Sequence, residues 1–224
     1  MNQQNLSVLT NFGCPYSCKF CISSSQKSKN GYKFKLQDAR DIRNLLKSGK
    51  YERLSISGGG DPLYIYNKDI ELLYRFILKN SELFNIHLSF HTNFDEPYFR
   101  IRKLLRYMTN FVISVHKEDW DRKFFKWSEE GYCSKNLRFA YVIGYNSNDL
   151  EIIQKMLKYL PKDAKLTLKQ LDGTILEEIP NIQEIRELIE VNPRCKILES
   201  GDYNTYYNLK DNKIYDKFKD IKWQ

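Results

Sequence analysis

The chain has 224 residues, 42% hydrophobic and 14% aromatic, enough to bury the core of one large α/β domain or two small ones. Its formal charge of +8 is compatible with an anionic partner such as a nucleotide or nucleic acid, or simply with a lysine-rich composition. The sequence has no apolar run of about 18 residues and no visible secretory signal, so it predicts a cytoplasmic protein without a membrane span.

Hydrophobic spacing predicts strands and helices that alternate along the chain. The predicted strands are 5–10, 53–57, 86–91, 111–116, 137–143, 164–171 and a late strand at 196–198. The predicted helices are 36–47, 69–79, 97–108, 148–160 and 182–191. Gly49 is expected to end the first helix. The tyrosine-rich segment 201–208 is predicted to form an edge hairpin, or else to cover the mouth of the fold.

This alternation implies parallel strands joined by right-handed crossovers. The chain contains about six βα units, fewer than the eight of a closed barrel, so we expect an α/β fold, a partial open (β/α)6 barrel. We expect a single domain over 1–224, with a core of about 5–191 and a short C-terminal extension, 192–224. Active sites of such folds lie at the C-terminal ends of the strands, where the loops after the strands meet.

Three cysteines follow the first predicted strand: Cys14, Cys18 and Cys21, with the spacing C-x3-C-x2-C. Soft thiolates suit iron–sulfur clusters. Three of them can hold three corners of a cubane cluster and leave the fourth iron without a protein ligand. An open metal position supports chemistry, whereas a closed one is usually structural. The odd total of five cysteines argues against a framework of disulfides.

A glycine motif, Gly58-Gly59-Gly60-Asp61, follows the second predicted strand. Glycines after a strand let a ligand approach the backbone, whose exposed amides can accept a carboxylate or phosphate. The carboxylate of Asp61 can pair with an ammonium group. A glycine run alone is more often a tight turn. The cysteines upstream favour the interpretation as a ligand site.

The cysteine spacing, with aromatic Phe20 directly before the third cysteine, resembles the radical S-adenosylmethionine (radical SAM) superfamily. The segment from Ser57 to Leu63 is similar to the Gly-Gly-Glu-Pro motif of that family, with Asp61 where glutamate is usual. The resemblance implies a [4Fe-4S] cluster on the three cysteines and SAM at the open iron, near the C-terminal ends of the strands. An electron from the cluster would cleave SAM to a 5′-deoxyadenosyl radical, which abstracts hydrogen from a substrate.

The resemblance also implies which residues contact the cofactors. Phe20 would shield the cluster and lie against adenine, while Gly59, Gly60 and Asp61 would position the methionine end of SAM. Further contacts are implied at the ends of the third, fourth and fifth strands, by Thr92 and Asn93, by Ser114 and His116, and by Ile143. Each of these could equally be an ordinary strand end.

Three more residues are candidates for the reaction itself. Cys133 lies in a polar segment that could cover the site, so it is a better candidate hydrogen donor than Cys195, although both could be small buried hydrophobes. Lys169, on the sixth predicted strand, could contact an anionic group of a substrate or simply point outwards.

The sequence therefore predicts a radical SAM enzyme that acts on a small-molecule, nucleotide or nucleic-acid-derived substrate. The resemblance implies an electron donor such as flavodoxin or ferredoxin. Glycyl-radical-enzyme activases are an alternative, but they usually place glycine where Phe20 stands. A structural zinc or iron–sulfur module, with Cys133 or a histidine as fourth ligand, is the non-enzymatic alternative. A redox role for Cys18 and Cys21 alone would leave Cys14 unexplained.

Overall fold

The computed structural model describes residues 4–10, 13–21, 32–64, 66–93, 110–129, 137–198 and 204–221. The chain divides into two compact units. The first unit comprises Met1–Phe111 and Asp202–Gln224, and the second comprises Val112–Gly201. The single domain that the sequence predicts over 1–224 stays a prediction.

The described residues alternate between strands and helices as expected. The strands are β1 Gln4–Leu9, β2 Tyr51–Ile56, β3 His87–Thr92, β4 Asn110–Val115, β5 Leu137–Ile143, β6 Lys165–Gln170, β7 Cys195–Leu198, β8 Asn204–Asn208 and β9 Lys213–Tyr215. The α-helices are α1 Leu36–Lys47, α2 Lys68–Leu83, α3 Trp120–Glu129, α4 Asp149–Tyr159 and α5 Ile182–Glu190. Short 3₁₀ turns occur at Leu176–Glu178 and Phe218–Asp220.

The strands of the first unit lie in the order β3-β2-β1-β8-β9. The pairs β2–β3, β1–β2 and β1–β8 are parallel, and β8–β9 is antiparallel. The register aligns Ser7 of β1 with Ser55 of β2, and Ser55 with Ser89 of β3. Parallel pairing brings the carboxyl ends of β1, β2 and β3 to one edge, where the cysteine and glycine motifs begin.

The positions and ends of helices α1 and α2 are explained by their local sequences. The buried residues of α2 recur at helical spacing, through Ile70, Leu73, Tyr74 and Ile77. The Asn67 side chain caps the start of α2 by accepting the backbone N–H of Ile70. Helix α1 ends at Lys47, and Gly49 follows with φ +69°, the left-handed conformation that glycine adopts readily.

In the second unit, the strands lie in the order β4-β5-β6-β7, and β5–β6 and β6–β7 are parallel. Phe124 of α3 packs on Phe139 of β5, with ring centroids 4.3 Å apart. The hydroxyl of Tyr141, also on β5, donates to Asp149 at the start of α4. These contacts place the helices against one face of the strands.

One helix was missed by the sequence, and one predicted helix stays untested. The sequence did not predict α3, whose aromatic residues Trp120, Phe124 and Trp127 recur at helical spacing within a polar segment. The predicted helix at 97–108 lies outside the described residues.

The C-terminal predictions are confirmed in outline. The late strand is β7. The segment predicted as a hairpin, 201–208, contributes only β8, and the second strand of the hairpin, β9, lies beyond it. Strand β8 is not itself an edge, because it lies between β1 and β9. None of the helices in the described part of the chain is long and apolar enough to cross a bilayer.

Candidate active site

The three cysteines lie on the loop that follows β1, and none of the three forms a disulfide. Cys14 is buried, whereas Cys18 and Cys21 are half-buried. The backbone N–H of Cys21 donates to the carbonyl of Cys18 at 3.1 Å, which forms a tight turn between these two residues. The turn shortens the path of the chain between these two cysteines.

The pKa of the Cys14 thiol is raised to about 11, mainly by burial and in smaller part by the charges of Asp61, Cys18 and Cys21. The backbone N–H of Tyr16 opposes this by lowering the pKa. Without a bound cation, Cys14 is a thiol at neutral pH, so metal binding there must displace its proton.

The cysteine loop is joined to the glycine motif through backbone contacts. Gly13 and Gly60 form a parallel β-bridge, and the N–H of Asp61 donates to the Gly13 carbonyl at 2.7 Å. Gly60 has φ +140°, and a Cβ placed there would lie 2.3 Å from the Gly13 oxygen. This contact explains why Gly60 must be glycine, because any side chain would separate the two loops.

The carboxylate of Asp61 connects the ends of β2 and β3. It is 4% exposed, and its Oδ1 accepts hydrogen bonds from the Leu63 N–H and the Thr92 hydroxyl, each at 2.8 Å. Its Oδ2 accepts the backbone N–H of Asn93 at 2.5 Å. The Asn93 amide in turn donates to the Cys14 sulfur at 3.4 Å.

The structure therefore brings five of the predicted site residues together: Cys14, Gly60, Asp61, Thr92 and Asn93. It also gives Asp61 a role that the sequence did not indicate. Its carboxylate holds the loop after β3 against the loop after β2. The predicted contact between Asp61 and the SAM amino group stays a prediction.

The donor set fits an iron–sulfur cluster. Three thiols on one loop, with an amide N–H donor to the most buried sulfur, are the ligands and the outer hydrogen bond that such clusters use. Among the residues described, no three His, Cys, Asp or Glu side chains are arranged around the position of a single metal ion. Phe20, half-buried on the same loop, lies directly before the last ligand.

In the second unit, Ser114 and His116 lie at the end of β4, as the sequence predicts, within a network of buried charges. The Lys123 ammonium donates to the Ser114 carbonyl and to Asp119 Oδ2, both at 2.7 Å. His116 donates its backbone N–H to Asp119 Oδ1 at 2.7 Å, and its Nδ1 lies 3.4 Å from Oδ2.

The negative charge of the Asp119 carboxylate is stabilised by its neighbours. Burial opposes ionisation, but the hydrogen bonds from His116 and the Lys123 ammonium outweigh it and hold the Asp119 pKa well below its usual range. Lys123 is 1% exposed, so this is a buried ion pair that fixes the position of His116. Sequence reasoning missed Asp119 and Lys123; their i, i+4 spacing was the available signal.

Ile143 and Lys169 lie on adjacent strands of the second unit. Ile143 is fully buried, and its carbonyl accepts the N–H of Leu171 at 3.0 Å. Gly144, directly after it, has φ +92° and donates its N–H to Asp149 at 2.7 Å. Lys169 is half-buried near the end of β6.

The two cysteines that the sequence offered as candidate hydrogen donors are Cys133 and Cys195. Cys133 lies outside the described residues. Cys195 starts β7, where burial raises its pKa to about 12. It therefore stays protonated and packs as a small apolar side chain.

Comparison with solved structures shows similarity to SuiB from Streptococcus suis. The structure of SuiB bound to S-adenosylmethionine matches with a TM-score of 0.67 at 15% identity, over 96% of this chain and 60% of that one. The structure of SuiB bound to the precursor peptide SuiA matches with a TM-score of 0.63 at 17% identity, over 89% of this chain and 49% of that one. The chain thus spans about three fifths of the SuiB chain in the first of these structures.

At this identity the likeness shows the fold, and it confirms the predicted partial open barrel. Comparison of the sequence with curated proteins found no match. The family model described as "Radical SAM superfamily" matches residues 8–140, a range that contains the cysteine motif, the glycine motif, β3 and β4 and ends within β5. The family uses a [4Fe-4S] cluster and SAM, as predicted. The chain belongs to the radical SAM superfamily of enzymes.

Proposed function

We propose that this enzyme cleaves SAM reductively and uses the resulting 5′-deoxyadenosyl radical to abstract hydrogen from an anionic small molecule or a nucleotide-derived substrate. The observation that carries the proposal is the junction between the two motifs. The loop with Cys14 is joined to the glycine turn by the Gly13–Gly60 bridge. It is joined to β3 by the hydrogen bond from Asn93 to the Cys14 sulfur.

Cys14, Cys18 and Cys21 are the residues that would hold the cluster. When bound there, the cluster supplies the single electron that cleaves the sulfonium of SAM. The Asn93 amide stabilises negative charge on the Cys14 sulfur. Half-buried Phe20 limits the access of water to this side of the loop.

The glycine turn is suited to the methionine end of SAM. Gly59 and Gly60 have φ +67° and +140°, so no side chain covers the backbone amides and carbonyls there. Asp61 adds negative charge next to this backbone, and such charge favours an ammonium group. The carboxylate holds its loops in place whether or not a ligand is bound, so the turn is ordered before SAM arrives.

Two parts of the proposal concern partners. A single-electron donor such as flavodoxin or ferredoxin would reduce the cluster. The formal charge of +8 supports an anionic substrate. The described residues give no support to the alternative of a glycyl-radical-enzyme activase. Membership of the radical SAM family argues against the second alternative, a purely structural metal module.

The experiment compares two variants that carry the same substitution at different cysteines. Reduced, reconstituted protein is incubated with SAM, and 5′-deoxyadenosine is measured by chromatography. We expect wild type and Cys195→Ala to release 5′-deoxyadenosine and Cys18→Ala to lose both the product and cluster iron. Retention of product by Cys18→Ala would refute the ligand assignment. Absence of 5′-deoxyadenosine from the wild-type reaction would refute the proposed cleavage of SAM.

A further inference from the structure

Strands β5 and β6 of the second unit have two chemically different faces. Phe139 and Tyr141 face the helices, as their contacts with Phe124 and Asp149 show. Side chains alternate along a strand, so the intervening residues of β5 project from the opposite face. The register aligns these residues with every second residue of β6. The opposite face, called here the basic face, consists of Arg138, Ala140, Val142, Lys165, Thr167 and Lys169.

Arg138 reaches across this face to the neighbouring strand. Its Nη1 donates to the Thr167 hydroxyl at 2.8 Å, and Thr167 is only 2% exposed. Burial lowers the pKa of Arg138. No carboxylate within the described residues pairs with its guanidinium, so a half-buried positive charge is held by a neutral hydroxyl alone.

Lys169 lies two residues beyond Thr167 on the same face, about 7 Å along the strand. Its neighbours in register are Val142 and Leu198, both apolar. Burial lowers the pKa of Lys169, because no described group compensates its charge. An ammonium partly withdrawn from water without a compensating charge costs free energy, and an anion bound nearby would recover it.

The strands around these two cations contain no acidic residue. Their sequences are LRFAYVI in β5, KLTLKQ in β6 and CKIL in β7. The basic face therefore combines a planar guanidinium, a buried hydroxyl and a flexible ammonium without an opposing carboxylate on its own strands. Guanidinium groups bind carboxylates and phosphates through paired hydrogen bonds, and lysine adds a point charge.

We propose that Arg138, Thr167 and Lys169 form a binding site for an oxyanion, a carboxylate or phosphate carried by the substrate. The existence of an anion site does not depend on the proposed function; only the statement that the anion belongs to the substrate rests on it. Thr167 orients the guanidinium, and Lys169 contacts a second oxygen of the same group. The sequence indicated Lys169 alone; Arg138 joins it only through the register of β5 with β6.

The test titrates inorganic phosphate and, separately, acetate into the cluster-reconstituted protein without SAM, by calorimetry at constant ionic strength. We expect saturable binding of at least one anion, and the preferred one identifies phosphate or carboxylate as the substrate group. Arg138→Gln and Lys169→Gln should each weaken binding about 10-fold or more, because each removes a charge-assisted contact. Lys158→Gln removes the same charge from exposed α4 and should change the affinity by less than about twofold.

Two results would overturn the inference: no saturable binding of either anion by wild type, or equal weakening by all three substitutions. Circular dichroism reports folding, and Lys169→Met, which keeps the aliphatic stem, replaces Lys169→Gln if the latter unfolds. Failure of the proposed function is measured separately, as absence of 5′-deoxyadenosine from wild type. Anion binding without SAM cleavage would therefore leave this site intact and reject the proposed function.

Discussion

The carboxylate of Asp61, at the end of β2, accepts the backbone N–H of Asn93, at the end of β3, at 2.5 Å. Asn93 in turn donates to the sulfur of Cys14. One buried carboxylate thus links the loops after two strands and reaches a cluster ligand through a single residue. A substitution at Asp61 is therefore expected to affect both the stability of these loops and the binding of a cluster.

Asp61→Asn should destabilise the protein by about 2 to 4 kcal/mol, because an amide offers one acceptor oxygen where the carboxylate offers two. Either the Asn93 N–H or the Leu63 N–H then faces an NH₂ group. Thr92→Val removes only one hydroxyl donor and should cost about 1 kcal/mol. Urea unfolding of both variants measures the difference. Equal losses for the two variants would show that the Asp61 carboxylate does not bear the central hydrogen bonds.

Gly60→Ala should abolish stable cluster binding, since its Cβ would lie 2.3 Å from the Gly13 carbonyl oxygen. Gly173→Ala is the matched control: Gly173 also has positive φ, +79°, but a Cβ there meets nothing within 4 Å. Gly173→Ala bears the backbone strain of the left-handed conformation, about 1 to 2 kcal/mol, without a clash, whereas Gly60→Ala adds the clash to a backbone strain of its own. Iron and sulfide content after reconstitution is the measurement. Full iron loading of Gly60→Ala would contradict the close junction between the two loops.

Lys123→Met should destabilise the protein by about 3 to 5 kcal/mol at pH 7, because it leaves the Asp119 charge buried without its cation. Lys155→Met is a control with the same i, i+4 spacing and a similar distance, 2.6 Å against 2.7 Å, but its pair with Glu151 is exposed. It should cause a much smaller loss. Chemical denaturation compares the two variants, and similar losses would mean that the Asp119–Lys123 pair is not buried in solution.

The cysteine loop predicts a pH dependence for cluster-free, reduced protein. With a pKa of about 11, the Cys14 thiolate forms only as the pH rises towards that value. At pH 8 about one molecule in a thousand carries it, so alkylation by iodoacetamide should be slow and rise about tenfold per pH unit. Cys18 is more exposed and should react faster. Mass spectrometry of labelled peptides between pH 7.5 and 10 follows both sites. Comparable rates at pH 8 would show that Cys14 is not shielded.

The sequence predicted the features that depend on nearby residues. The cysteine spacing, the glycine turn, α1 and the strand β5 are each specified within a few residues. Helix α3 escaped because its aromatic residues Trp120, Phe124 and Trp127 are separated by charged residues that look like those of a loop. Burial of these aromatics, not the local pattern, decides that this segment is helical.

The contacts that define the candidate site could not be predicted, because they depend on strand register. Asp61 and Thr92 are 31 residues apart, and only the alignment of β2 with β3 brings them together. The pair Arg138 and Thr167, 29 residues apart, depends in the same way on β5 and β6. A shift of one residue in either pairing would turn these side chains to the opposite face.

The most direct test of the central claim is electron paramagnetic resonance of the reduced, cluster-reconstituted protein before and after addition of SAM. Three cysteine ligands leave one iron of a cubane without a protein ligand, so direct binding of SAM must change the spectrum of the cluster. We expect a clear shift of the g values when SAM is added and no shift when the same volume of buffer without SAM is added. A [4Fe-4S] spectrum that SAM leaves unchanged, or reconstitution that yields no such cluster on Cys14, Cys18 and Cys21, would contradict the account.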